Sequence, residues 1–148
     1  MPLNSNVRPH YWTFRMSYID CFLAPVPRAN RSAYEKLAKI SAEVVKEHGA
    51  LRVVECWLDE SGPEAFTYHG EGARRESHEY GNFISAAGAN QDEMVMMSWI
   101  EWPDKVARDA GMEKVTSDPR MQFEGHAFDG SRLIAAGFLP MMDEASGA

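Results

Sequence analysis

Three carboxylates fall where they could act together: Asp20, Glu55 and Glu101, each inside an apolar stretch of strand-like residues. Like charges sharing a partly apolar cavity raise one another's pKa, and burial raises it further, which makes a general acid or base. The plainer alternative is an ion pair for each, with Arg52, Arg120 and Arg132 as the available cations. His69, Glu71, His78 and Glu79 form a second group, but none of their spacings gives the i, i+3 or i+4 pair that helical metal ligands use. Glu71 with Arg75, or Arg75 with Glu79, fits an ordinary helical ion pair better, so the group reads as a solvated loop or short helix and no metal site is expected. His48 ends a helix, where the dipole favours it, and His126 lies near the last turn. Cys21 and Cys56 sit on strands that a third strand separates by about 10 Å, too far for a disulfide, and read as packing residues. With no glycine-rich phosphate loop, nucleophile elbow or zinc signature in the chain, any chemistry is expected to be cofactor-free.

The elements that must position these groups follow from periodicity. Ser17 to Val26 is rich in aromatic and branched residues and is closed by Pro25 and Pro27, which predicts a first strand. Asn30, or a capping box of Ser32 and Glu35, opens a helix whose apolar positions, Tyr34, Leu37, Ala38, Val44 and Val45, recur at helical spacing until Gly49. Leu51 to Leu58 reads as a second strand. Residues 59–93 are polar and glycine-rich, a long insertion in which only Asn82 to Ala87 looks extended. Met94 to Trp102 is a third strand, and Pro103-Asp104 stops it and caps a helix from Lys105 to Ser117, which Gly111 weakens by ~1 kcal/mol relative to alanine. Arg132 to Leu139 is a fourth strand. This α+β order, β-α-β-β-α-β, is that of a ferredoxin-like four-stranded antiparallel sheet with both helices on one face. The folded domain is expected over 16–142, with 1–15 as an extension outside it and 143–148 as a tail.

Strand parity then assigns the faces. The uniformly apolar Ile19, Cys21 and Leu23, and Val54, Cys56 and Leu58, are expected beneath the helices. That leaves Tyr18, Asp20 and Phe22, Val53, Glu55 and Trp57, and Met97, Trp99 and Glu101 on the open face. An open face carrying Tyr18, Phe22, Trp57, Met97 and Trp99 exceeds the apolar patch of an ordinary soluble monomer, so a second copy is the expected cover. Two such sheets closing on each other make a homodimer with a shared cavity, in which those five residues would bind a small hydrophobic ligand. A filled dimer core is the alternative.

Four segments carry a family resemblance: Met16-Ser17-Tyr18-Ile19-Asp20; His48 to Trp57; Ser98 to Lys105 with Arg108-Asp109-Ala110; and Asp118-Pro119-Arg120-Met121 with Phe128-Asp129-Gly130. Together they resemble the bacterial domain of unknown function (DUF) 1428 family across residues 16–142. The resemblance implies the dimeric α/β barrel superfamily, whose members include cofactor-free monooxygenases, haem-degrading enzymes, isomerases and small stress-related proteins. Fold analogy alone does not choose among them. The N-terminal arm and the longer insertion around Phe66 to Gly81 depart from the family pattern.

Composition narrows the partners. Of 148 residues, 15 are Lys or Arg and 22 Asp or Glu, a net charge of −7, and no basic run exceeds Arg74-Arg75. Nucleic acid is therefore not an expected partner. No apolar run reaches the ~18 residues of a membrane span and no signal segment opens the chain, so no membrane is expected and the cytoplasm is the expected compartment. Two function classes remain: a small cofactor-free oxygenase or isomerase acting on a hydrophobic metabolite, and a non-catalytic dimeric structural or stress-related module.

Overall fold

A computed structural model describes residues 17–123 and 125–145. The expectation that 1–15 stand apart from the fold lies outside the described residues. Four strands, β1 (Tyr18–Pro27), β2 (Arg52–Trp57), β3 (Glu93–Trp102) and β4 (Ile134–Phe138), form one antiparallel sheet in the order β2-β3-β1-β4. Two long helices, α1 (Arg31–Glu47) and α3 (Lys105–Ser117), and a short α2 (Phe83–Ala87) complete the α+β fold.

β1 runs on to Pro27, one residue past the expected end at Val26. Beyond Leu23 its only neighbour is β3, and such an edge position tolerates a proline. Asn30 occupies the N-cap position of α1, but its side chain caps nothing. Its amide donates instead to the Ala127 carbonyl at 3.0 Å, fastening the helix start to the loop before β4. At the other end Gly49 takes φ +113°, which lets Ala50 donate back to Val45 and turns the chain into β2. α3 starts where Pro103-Asp104 indicates, with Asp104 Oδ1 accepting from the Ala107 amide at 2.7 Å.

Both long helices cover one face of the sheet. Val44 and Val45 of α1 and Val115 of α3 pack on Ile100 and the fully buried Trp102, while Tyr34 and Ala38 pack on Ala24, Val26 and Met96. Gly111 is what permits this closeness. A Cβ there would lie 2.5 Å from the His48 carbonyl and 2.6 Å from the Trp102 ring. Sequence reasoning charged this glycine with weakening the helix, whereas its missing side chain lets the helix dock.

The insertion, 59–93, contains three single 3-10 turns before α2. The expected extended piece at Asn82 to Ala87 is α2 instead: Asn82 Oδ1 accepts from Ser85 N at 2.8 Å, and Gly88, at φ +68°, ends the helix. A cap and a left-handed glycine six residues apart outweigh the local β-propensity. Two arginines clamp the neck of the insertion. Arg28 is hydrogen-bonded to the Glu60 carboxylate and, at 2.9 Å, to the Gln91 carbonyl. Arg132 forks onto Glu93 at 2.7 and 3.1 Å and reaches the Gly88 carbonyl.

Candidate functional site

The register decides which side chains share a face, and it corrects the parity expected for two strands. Tyr18 pairs with Trp102, Asp20 with Ile100 and Phe22 with Ser98; Val53 pairs with Ile100, Glu55 with Ser98 and Trp57 with Met96. Since Ile100, Trp102 and Met96 belong to the core under the helices, Tyr18, Asp20, Phe22, Val53, Glu55 and Trp57 lie on the helix side. Of the residues expected on the open face, Met97, Trp99 and Glu101 are there. The correction has a physical cause: a one-residue shift of parity exchanges a whole strand's faces, and the helices supply donors that make the mixed set tolerable in the core.

Those donors are specific. Asp20, 4% exposed, accepts from Trp102 Nε1 at 3.0 Å and from Arg108 Nε at 3.0 Å. Glu55, on the edge strand, accepts from the Tyr34 hydroxyl at 2.8 Å. Its carboxyl lies against α1, and this desolvation raises its pKa, partly opposed by the Tyr34 hydrogen bond. Burial pushes the Tyr34 hydroxyl up as well. Glu101 accepts from Trp99 Nε1 at 3.1 Å and has Arg52 Nε at 3.8 Å. The three carboxylates therefore do not converge. Each has a partner of its own: the ion-pair alternative holds for Asp20, with Arg108, and for Glu101, with Arg52 of the three arginines expected, while Glu55 has the Tyr34 hydroxyl. Arg120 pairs with Glu47 and Asp118, and Arg132 with Glu93. His48 Nε2 lies 3.1 Å from Asp118 Oδ2 at the end of α1, and Arg120 holds the Asp118 carboxyl well below the usual range.

The open face is a grid of three rows across β2, β3, β1 and β4: Arg52, Glu101, Ile19, Phe138; then Val54, Trp99, Cys21, Ala136; then Cys56, Met97, Leu23, Ile134. Only Arg52 and Glu101 are charged, and they sit together in the first row. Both cysteines belong to this face, still separated by β3, and burial raises the Cys21 thiol.

From the third row outward the insertion folds back over the β2–β3 end of the sheet and leaves a cavity of about 680 Å³. Its floor is Cys56, Leu58, Val95 and Met97; its roof carries Tyr68, Phe83 and Ile84, with His69 and Tyr80 stacked at 4.5 Å between ring centres. Sequence reasoning missed this roof by reading the His and Glu group of the insertion as a solvated loop or short helix. The signal was Phe66, Tyr68, Tyr80 and Phe83, four aromatics in an otherwise polar stretch, which need cover. A smaller cleft of about 320 Å³ between α1 and β2 holds Tyr34, Lys39 and Glu55, and another of about 870 Å³ lies between the Glu101 end of the sheet and residues 140–145. Among the described residues no group of His, Cys, Asp and Glu could hold a metal, and no helix is long and apolar enough to cross a membrane.

Comparison with known proteins places these features in a family. The model of the family described as "Protein of unknown function (DUF1428)" matches residues 17–130. The chain is 39% identical over 131 residues to "Uncharacterized protein YbaA" of Escherichia coli K12, covering 87% of this chain and all of that relative, and equally to the protein of the same name from Shigella flexneri. The chain belongs to the DUF1428 family.

Proposed function

We propose that this member of the DUF1428 family acts as a homodimer, built as a dimeric α/β barrel from ferredoxin-like protomers, that binds a small hydrophobic metabolite in the cytoplasm. The observation that carries the reading is the open-face grid. Ten of its twelve positions are apolar, and a soluble chain gains by covering such a surface. A second copy is the occupant that fits, because in a two-fold contact the same patch is contributed by both chains, so each apolar face would be covered by another of the same extent.

A specific observation favours the non-catalytic form of this reading. Asp20 and Glu55 lie on the helix side with their own donors, which removes two of the three candidate carboxylates from the open face. A cofactor-free oxygenase or isomerase would have to work with Glu101 alone on that face.

Light scattering behind a sizing column, at micromolar concentration, tests the assembly. A dimer is expected, and Trp99→Glu, which sets two carboxylates into the centre of a two-fold contact, should dissociate it. A wild-type chain that runs at 16.6 kDa overturns the reading. Native mass spectrometry of the same sample reports any small molecule that copurifies.

A further inference from the structure

The insertion-roofed cavity has walls from one chain only, and its lining is chemically selective. We infer that it is a binding site for a neutral aromatic molecule of one or two rings bearing a single hydroxyl or carbonyl group. The inference deepens the ligand-binding half of the reading above, on which it rests, but it does not depend on the dimer.

Size comes first. About 680 Å³ lies inside the ~300 to 1,000 Å³ range of small-molecule sites. Charge comes next. No lysine or arginine lines the cavity, and its one carboxylate, Asp59, already accepts from the Ser61 amide at 3.1 Å and the Ser61 hydroxyl at 3.0 Å. A phosphate or carboxylate would find no lysine or arginine as a counter-charge, only the His69 ring stacked on Tyr80, and desolvating it would cost more than these walls return. The occupant is therefore neutral.

Shape follows from the walls. Val95 and Met97 form the floor, and Phe83 and Ile84, though apolar, remain 52% and 47% exposed on the roof. A flat ring slid between floor and roof would cover both. His69 and Tyr80, with rings inclined by only 8°, add an aromatic wall whose polar atoms can meet one ligand oxygen. The Tyr80 oxygen accepts from the Arg75 amide, so its own proton remains available to donate. The neck clamped at Arg28 and Arg132 fixes both ends of the roof segment, which reduces the chain freedom that binding must order.

Calorimetric titration with 2-naphthol as the probe, and 2-naphthoate as its anionic counterpart, tests the inference. Saturable binding of 2-naphthol is expected, with 2-naphthoate weaker by about tenfold or more. Ala65→Trp, which fills the cavity from the roof, and Ile84→Arg, which places a charge in it, should each weaken 2-naphthol by at least about tenfold while circular dichroism and oligomeric state stay unchanged. Phe138→Glu lies on β4, away from the cavity. It should dissociate a dimer and leave 2-naphthol affinity within a factor of about three. Three results overturn the inference: no saturable binding of 2-naphthol, equal binding of 2-naphthoate, or affinity insensitive to both roof variants. Loss of binding in a folded Phe138→Glu monomer also overturns it and places the ligand between the sheets. A wild-type monomer that binds 2-naphthol through the roof residues sinks the dimer and leaves the cavity standing.

Discussion

The two faces of this sheet are built from alternate residues of the same strands, yet they solve opposite problems. The helix-covered face takes the chemically mixed set, Tyr18, Asp20, Phe22, Glu55, Ser98 and Trp102 among them, and satisfies it. Among the described residues no buried side-chain nitrogen or oxygen lacks a partner. The open face takes the simple set, aliphatic and aromatic side chains with one charged pair, and leaves much of it exposed. The difference teaches that a polar residue on a strand marks neither the solvent side nor a catalytic cavity. What matters is whether the opposing layer carries a donor aimed at it.

The sharpest way to break this contrast is to remove the most deeply held polar group. Asp20→Ala should cost about 3 kcal/mol in urea unfolding, since it strands the Trp102 N–H and the Arg108 guanidinium. The figure is at the low end for a broken buried pair because Arg108, 34% exposed, can turn to water. A cost under about 1 kcal/mol would mean that the network is incidental.

Gly111→Ala comes next, at about 2 kcal/mol destabilising, because helix propensity favours alanine while the His48 carbonyl and the Trp102 ring oppose any added atom. Were the variant more stable than wild type, α3 would not be pressed onto the core as described.

Trp99→Ala probes the other face by a different signature. On the helix face a substitution lowers stability equally at every protein concentration. On a face that a second copy covers, the loss grows with concentration, because mass action no longer stabilises the fold. Thermal unfolding at 1 and 100 μM, a hundredfold span worth about 2.7 kcal/mol of mass action, separates the two. A concentration-independent loss would assign Trp99 to ordinary packing.

The smallest effects are in pH dependence, where two carboxylates should have slopes of opposite sign. Arg132 and the Asn90 amide hold Glu93 below its ordinary value of 4.5. Its stabilisation is complete above that pH and is lost as the pH falls through the lower folded value. Glu93→Gln should flatten the acid limb of a stability profile. Glu55 is raised, so its favourable contribution belongs below pH 4.5 and is lost as the pH rises through the folded value. Glu55→Gln, still accepting from Tyr34, should therefore leave the melting temperature at pH 7 unchanged or slightly higher. A clear drop would show that the ionised pair with Tyr34 stabilises the fold.

How much of this was legible in the sequence varies with the kind of signal. α3 runs over Lys105–Ser117 as expected, because Pro103-Asp104 and Asp118-Pro119 are punctuation that acts within one turn. The four strands and their antiparallel sheet were legible from apolar runs and turns. The faces were not, because Ile19, Cys21 and Leu23 are as apolar as any core row, and nothing in β1 or β2 alone reveals that Arg108 and Tyr34 arrive from elsewhere to hold Asp20 and Glu55. β3 was read correctly because Glu101 has no such donor from a helix; its partners, Trp99 and Arg52, share its own face. The cavity was hidden for the same reason. Its floor and roof are separate in sequence, and the roof aromatics gain meaning only once Arg28 and Arg132 fold the insertion back.

That double clamp also separates the roof from the scaffold. Arg28 ties Glu60 to Gln91, so the residues between them begin and end at one point regardless of what lies between. The entropy of closing such a loop grows only logarithmically, by about 0.6 kcal/mol for each doubling of length. The segment from Ser61 to Ala87 is thus a cassette open to exchange, and grafting a different loop there, with Gly88 and Asn90 kept for the clamp, would retune what the floor of Leu58, Val95 and Met97 accepts while the sheet and its two long helices stay as they are.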